Sequence, residues 1–127
     1  MIYLLDTNAI SDLMRSAPAI EGWMAGLLES DRVVTCTIVR GEILFGICRL
    51  PNGRRRRELE AFGHLFLAKF PCEPLPERSG DFYAAVKIAR QRSGLALDEN
   101  DLRIASTACD WSHWTSSWTV QFRAAVE

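Results

Sequence analysis

A short apolar run near the start of the chain, residues 2–5 (IYLL), ends abruptly in the carboxylate of Asp6. An uninterrupted run of this length is typical of a strand that is buried on both faces, as strands are in a parallel sheet. Residues 32–37 (RVVTCT), rich in β-branched side chains, predict a second strand, and residues 72–75 predict a short third one. Helical spacing predicts helices at about residues 9–15, 18–29, 38–49, 54–70, 76–93 and 98–109. This alternation predicts an α/β fold, a parallel sheet flanked by helices.

The composition restricts the classes of protein to consider. The 127 residues suffice for a single domain, and 48% apolar and 24% charged residues are ordinary for a soluble globular protein. A net charge of −1 does not by itself indicate a nucleic-acid binder. Four successive arginines at residues 54–57 are either a solvated helix face or contacts for phosphate.

The four cysteines show no zinc or disulfide pattern. They stand at positions 36, 48, 72 and 109, without C-x-x-C spacing and among apolar neighbours, so we predict four small buried side chains. The first residues show no signal-peptide pattern, and no apolar stretch approaches the roughly 20 residues that span a bilayer. A cytoplasmic location is therefore expected.

Four acids are placed where a site would form in such a fold. Asp6 follows the first strand directly, Glu42 lies in the first turns of the helix after the second strand, and Asp98 and Asp101 share the first turn of the last helix. Parallel α/β sheets carry their sites at the carboxyl ends of strands, so these acids are expected to converge. Each has a plain alternative, because aspartates cap helices and a lone glutamate on a helix often faces solvent.

Several carboxylates at one edge of a sheet would repel one another without a cation. Oxygen ligands without cysteine or histidine select Mg²⁺ or Mn²⁺ over Zn²⁺. A partly hydrated ion of this kind can activate water and stabilise charge on a phosphodiester. The sequence therefore predicts a site for Mg²⁺ (or Mn²⁺) formed by these acids.

Three stretches resemble a known family in their order and separation. They are residues 3–8 (YLLDTN) with Ser11, residues 37–46 (TIVRGEILFG) and residues 100–108 (NDLRIASTA). They resemble the PIN-domain family and, within it, the VapC-type toxins of bacterial toxin–antitoxin pairs. The resemblance covers residues 1–109. It implies a PIN-like (Rossmann-like) parallel sheet of four to five strands and a metal-dependent endoribonuclease that cuts tRNA, rRNA or mRNA.

The family resemblance also implies roles for individual residues. Asp6, Glu42 and Asp101 match the metal-binding acids, and Thr7 or Asn8 would assist at the strand end. Asp98 does not match a regular family position but is a candidate for a supporting acid. Arg40 and Arg103 either contact RNA phosphates or pair with the acids of the pocket. The resemblance further implies a VapB-type antitoxin that inserts a segment over the pocket, often with an arginine aimed at the carboxylates, and a homodimer.

The final segment, residues 110–127, departs from the family. It holds three of the four tryptophans and no Leu, Ile or Gly. The family usually continues with an apolar strand and a turn, loosely LVTxDxxF, that supplies a fourth polar group. Residues 115–120 are a strand candidate, and residues 120–122 (VQF) are a faint echo of the pattern. The segment is either diverged or the product of a reading-frame change.

Two alternative functions remain open at this level. The atypical segment favours a degenerate PIN domain that binds RNA or an antitoxin without cutting. A phosphatase or receiver domain would need an acceptor aspartate and a lysine late in the chain. Lys69 and Lys87 are the only lysines, and neither is predicted at a strand end. The whole chain, residues 1–127, is expected to form one domain.

Overall fold

A computed structural model of the chain describes residues 2–94 and 98–110, with the side chains of the second range described up to residue 107. This part of the chain holds three strands and six helices. In chain order they are β1 (Ile2–Leu4), α1 (Thr7–Met14), α2 (Pro18–Ala25), β2 (Arg32–Cys36), α3 (Thr37–Cys48), α4 (Arg54–Leu67), β3 (Cys72–Glu73), α5 (Ser79–Arg92) and α6 (Glu99–Asp110). Each element predicted within the described ranges is present, although several begin or end two to four residues from the predicted boundary, as α2 does at Ala25.

The strands form a parallel sheet in the order β1-β2-β3. Tyr3 pairs with Val33 across the first interface, and Cys36 pairs with Glu73 across the second. The predicted α/β class with a parallel, helix-flanked sheet is therefore confirmed. The described residues contain three strands of the predicted four to five, and the strand candidate at residues 115–120 lies outside them.

The main core lies where β1 and β2 meet α1, α3 and α4. Its most completely buried apolar side chains are Ile10, Val34, Val39 and Leu67, each at most 2% exposed. A second, smaller cluster of Val86, Leu102 and Ala105 joins α5 to α6. Burial of a branched aliphatic side chain stabilises a fold by about 1.5–3 kcal/mol, so the central strand β2 is anchored by packing on its neighbours. Both clusters hold helix starts in place around the sheet edge.

Helices α3 and α4 pack closely because Gly63 has no side chain. A Cβ atom built on Gly63 would lie 2.8 Å from Cδ1 of Ile47. The exposures of the residues around Gly63 show which face of α4 is buried. Gly63 and Leu67 are buried, whereas Leu65 is two residues from each, about 200° around the helix, and is 72% exposed. The helical spacing of Leu59, Phe62, Leu65 and Phe66 in the sequence predicts that all four point inward, and this prediction is wrong for Leu65 and Phe62, which are exposed.

The prediction of four buried cysteines is also wrong for two of them. Cys36 is fully buried in β2, but Cys48 and Cys72 are exposed. Cys48 is the last residue of α3, where its thiol contacts the half-buried Glu60. Cys72 lies in the two-residue edge strand β3, where its side chain is exposed. The side chain of Cys109 falls outside the described residues.

None of the helices in the described ranges has the length and apolar character to cross a membrane.

Candidate metal centre

Asp6 links the first strand to the first helix and has one unused carboxylate oxygen. It is the N-cap of α1, where its Oδ1 accepts a hydrogen bond from the backbone N–H of Ala9 at 2.7 Å. Its Oδ2 is buried and has no hydrogen-bond partner. A buried acceptor without a partner costs about 1–3 kcal/mol. Helix capping therefore accounts for Oδ1 of Asp6, and Oδ2 remains free to bind a ligand.

Glu42 is brought to the same place by the connection from β2 into α3. This helix begins at Thr37, directly after the last residue of β2. The hydroxyl of Thr7, the first residue of α1, donates a hydrogen bond to Oε2 of Glu42. Glu42 is thus half-buried and hydrogen-bonded to the neighbouring helix start.

The first turn of α6 contributes the remaining acids. Asp98 accepts a hydrogen bond from the backbone N–H of Asn100 at 2.9 Å, and its carbonyl accepts one from Leu102 at 3.0 Å, so it caps this helix. Asp101 lies one turn inside and is half-buried. Lys87 of α5 donates hydrogen bonds to Glu99 in this turn, at 2.6 Å, and to the hydroxyl of Tyr83 on α5, at 2.9 Å. This network holds the start of α6 against α5.

These helix starts enclose a cavity of about 430 Å³. Its walls are mostly acidic or amide side chains, with one aromatic ring. The lining residues are Asp6, Thr7, Asn8, Glu42, Phe45, Asp98, Asn100 and Asp101.

The electrostatics show carboxylates that repel one another. Burial raises the pKa of Asp6, and the charge of Asp101 raises it further, although the hydrogen bond from Ala9 acts in the opposite direction. Burial likewise raises the pKa of Asp101, followed by the charges of Asp98 and Glu42. Both shifts favour the protonated acid, which is the expected response of neighbouring carboxylates without a cation between them.

The donor set fits a hard divalent cation. Every polar side chain in the cavity wall offers oxygen, without cysteine or histidine, which suits Mg²⁺ or Mn²⁺. The unpartnered Oδ2 of Asp6 is the clearest vacant donor. Among the described side chains, no three acids, histidines or cysteines already stand in a ligating arrangement, so ion binding would require side-chain movement.

The comparisons with known proteins agree with this architecture. The sequence profile of the PIN domain matches residues 3–110. The chain belongs to the PIN-domain family. The family prediction from the three sequence stretches is therefore confirmed. No curated protein sequence matches the chain significantly.

Solved structures share the fold of this PIN domain along nearly its whole length. VapBC2 from Rickettsia felis, solved bound to a DNA fragment from their promoter, matches with a TM-score of 0.83 at 19% identity, covering 98% of this chain and 93% of that one. VapBC-1 from nontypeable Haemophilus influenzae gives 0.82 at 24% identity, covering 99% and 92%. FitAcB from Neisseria gonorrhoeae gives 0.76 at 26% identity, covering 98% and 93%. The fold is that of the VapC-type PIN proteins.

The basic side chains singled out in the sequence lie elsewhere in the PIN domain. Arg40 Nη2 lies 3.4 Å from Nδ1 of His64 on α4, and Arg103 Nη1 donates to Oδ1 of Asn100 at 3.3 Å. Neither lines the cavity or forms a salt bridge with Asp6, Glu42 or Asp101. The structure therefore does not pair these arginines with the pocket acids.

The arginine run at the start of α4 is partly tied down. Arg54 bonds Glu58 at 2.6 Å, and Arg56 bonds Glu60 at 3.0 Å, one helical turn away in each case. Exposed pairs of this kind contribute only about 0.3–0.5 kcal/mol each. Two of the four arginines thus form salt bridges within α4.

Sequence reasoning missed two lining residues, Asn100 and Phe45. Asn100 precedes Asp101 directly, so the first turn of α6 could have indicated it. Phe45 is three residues after Glu42, on the same side of α3, and it is 64% exposed. Because an apolar side chain is usually expected in the core, the sequence did not indicate Phe45 as a cavity-lining residue.

Proposed function

We propose that this PIN domain is the metal-dependent endoribonuclease toxin of a toxin–antitoxin pair, and that it hydrolyses RNA phosphodiester bonds. The observation that supports this most is the buried Oδ2 of Asp6, which has no partner in a cavity shared with Glu42 and Asp101. An ion held there by oxygen ligands would satisfy that atom and relieve the repulsion among the acids.

The residues have distinct tasks in this proposal. Asp6, Glu42 and Asp101 hold Mg²⁺ or Mn²⁺, which supplies activation of water and neutralisation of phosphodiester charge. Thr7 orients Glu42 through its hydrogen bond, and the helix cap at Ala9 fixes the direction of Asp6. Asp98 supports the site by capping α6 and by adding negative charge next to Asp101.

Substrate binding is assigned to polar groups beside the acids. Asn8 lies in the cavity wall, where its amide can bond a phosphate or ribose oxygen. Thr7 faces the same cavity. Arg103, on the first turns of α6, would meet a neighbouring phosphate, and Arg40 would meet one further along the RNA strand.

The partners follow from the same reasoning. FitAcB and the two VapBC structures share this fold. We propose that a VapB-type antitoxin covers the acidic cavity, that the chain acts in the cytoplasm, and that it forms a homodimer.

The test is incubation of the purified protein with total cellular RNA in Mn²⁺ or Mg²⁺. We expect discrete cleavage products that disappear with EDTA and in Asp6→Asn. Asp81→Asn, which changes an exposed acid on α5, is the matched control and should cut normally. Intact RNA in every reaction of folded protein would overturn the proposal. If that protein still bound RNA or an antitoxin, the degenerate, non-cutting PIN domain would replace it.

A further inference from the structure

An exposed phenylalanine lies in the wall of the acidic cavity. Phe45 is 64% exposed, although full burial of a phenylalanine side chain would stabilise the fold by about 1.5–3 kcal/mol. It lies on α3 one turn after Glu42, so its ring stands beside the carboxylates proposed to hold the ion. An apolar ring next to acids cannot serve them as a ligand. It can present a flat face to something that enters the cavity.

The guanidinium group of Arg49 lies near the Phe45 ring. The guanidinium carbon of Arg49 lies 5.6 Å from the centroid of the Phe45 ring, one further turn along α3. This distance is within the range of cation–π attraction, which orients both side chains. Arg49 does not itself line the cavity, and its positive charge lies against the aromatic ring that does.

We propose that Phe45 and Arg49 form a platform on which an unpaired base of the RNA substrate stacks, with the adjoining phosphate held by Arg49. This deepens the proposed function and rests on it. Single-stranded RNA is recognised largely by stacking of bases on aromatic side chains and arginine planes. The order of carboxylate, ring and cation along α3 (Glu42, Phe45 and Arg49) matches a nucleotide chain, in which a base and a phosphate lie next to the phosphate at the ion.

The platform suits RNA better than a protein segment because of its charge. A phosphate beyond the one at the ion would need a further cation near the ring, which Arg49 provides. An apolar side chain of a protein partner would pack on Phe45 without using Arg49. The two occupants therefore differ in whether the arginine contributes.

The test uses fluorescence anisotropy with two short single-stranded probes of equal length, oligoadenosine and its abasic counterpart. Binding is measured in the Asp101→Asn background so that RNA is not cut. We expect Phe45→Ala to weaken binding of oligoadenosine by on the order of 10-fold or more, and Phe45→Trp to restore it. The abasic probe should bind weakly and should not respond to Phe45→Ala. Arg49→Gln should weaken both probes and reduce the salt dependence of binding by about one phosphate contact.

Phe62→Ala is the matched control, because Phe62 is an exposed phenylalanine on α4 that does not line the cavity. It should leave binding of both probes unchanged. Equal binding of oligoadenosine by Phe45→Ala and the parent would overturn the platform and leave Phe45 to a protein partner. An equal loss on both probes would overturn it as well. Base-dependent binding by a protein that cuts no RNA would instead refute the proposed chemistry alone.

Discussion

The hydroxyl of Thr7 donates a hydrogen bond to the carboxylate of Glu42, and this contact joins the starts of α1 and α3. The two residues are 35 positions apart in the chain, yet both follow a strand of the same parallel sheet. The bond occupies one oxygen of Glu42 and turns the carboxylate toward the cavity. The threonine thus supports the acid without needing to touch the proposed ion.

Thr7→Val should weaken metal binding, whereas Thr7→Ser should not. Valine keeps the shape of the side chain but removes the hydrogen bond, and loss of such a supporting contact typically lowers metal affinity 10–100-fold. Calorimetric titration with Mn²⁺ measures the effect. Equal affinities of the valine and serine variants would show that the hydroxyl has no role in orienting Glu42.

Asp6→Asn and Asp101→Asn should each stabilise the metal-free protein while abolishing its stabilisation by metal. Asparagine still caps α1 but removes a charge that repels its neighbours, a gain on the order of 1 kcal/mol. Mn²⁺ at about 100 times its dissociation constant should stabilise the parent by about 2.7 kcal/mol. Thermal unfolding with and without Mn²⁺ gives both quantities. A variant that responds to Mn²⁺ as the parent does would remove that acid from the ligand set.

The stability of the metal-free protein should fall as the pH rises through the range in which Asp6 and Asp101 ionise. Both pKa values are raised in the folded protein, mainly by burial. The unfolded chain releases these protons at lower pH, so between the two values the folded state holds more protons and rising pH favours unfolding. The destabilisation is absent below the unfolded pKa and complete above the folded one.

Urea unfolding in EDTA at a series of pH values measures this dependence. The Asp6→Asn/Asp101→Asn double variant should show a flatter profile across the same range. Parallel profiles for the double variant and the parent would contradict the assignment of the pH dependence to these two carboxyls.

Thr35→Val should stabilise the protein, because Thr35 is 1% exposed and its hydroxyl oxygen is buried without a partner. Valine has the same shape and removes a group whose desolvation costs about 1–3 kcal/mol. Thr35→Ser keeps the hydroxyl and deletes a methyl group, so it should destabilise by about 1 kcal/mol. The two midpoints of urea unfolding should lie on opposite sides of that of the parent.

Alanine should have opposite effects at two helical glycines. Gly46 on α3 has open space around it, so Gly46→Ala should stabilise by about 0.5–1 kcal/mol. At Gly63 the new methyl group meets Ile47, and overpacking of this kind costs about 1–3 kcal/mol. Ile47→Val, which deletes the obstructing atom, should restore part of the loss in the Gly63→Ala background. Equal midpoints for the two single variants would show that α3 and α4 are not packed as closely as the structure has them.

The meeting of Asp6 and Glu42 at one cavity could be predicted because it depends on the topology of the sheet, whereas Asp101 lies at the start of α6, which follows no strand among the described residues. Parallel strands end at one edge of a sheet, so residues that follow them are brought together whatever the details of packing. The apolar run before Asp6 and the β-branched run before α3 were enough to establish that topology.

Side-chain direction depends on tertiary packing and could not be predicted in the same way. Phe45 and Leu65 resemble core residues in the sequence, but both are exposed, whereas Gly63 on α4 packs against Ile47 on α3. Arg40 could have reached an acid or a phosphate, and its contact with His64 depends on how α4 lies beside α3. The sequence pattern around a single residue does not show how two helices lie beside each other.

The unpartnered oxygen of Asp6 has a consequence for the lifetime of the protein in the cell. Proteases that cut transiently opened chains act on the open population, which grows as the free energy of unfolding decreases. Because Asp6 caps α1 and also repels Asp101, the proposed ion would leave the metal-free protein as the more easily opened form. Degradation would then remove unloaded molecules first, and the surviving population would be enriched in the loaded form.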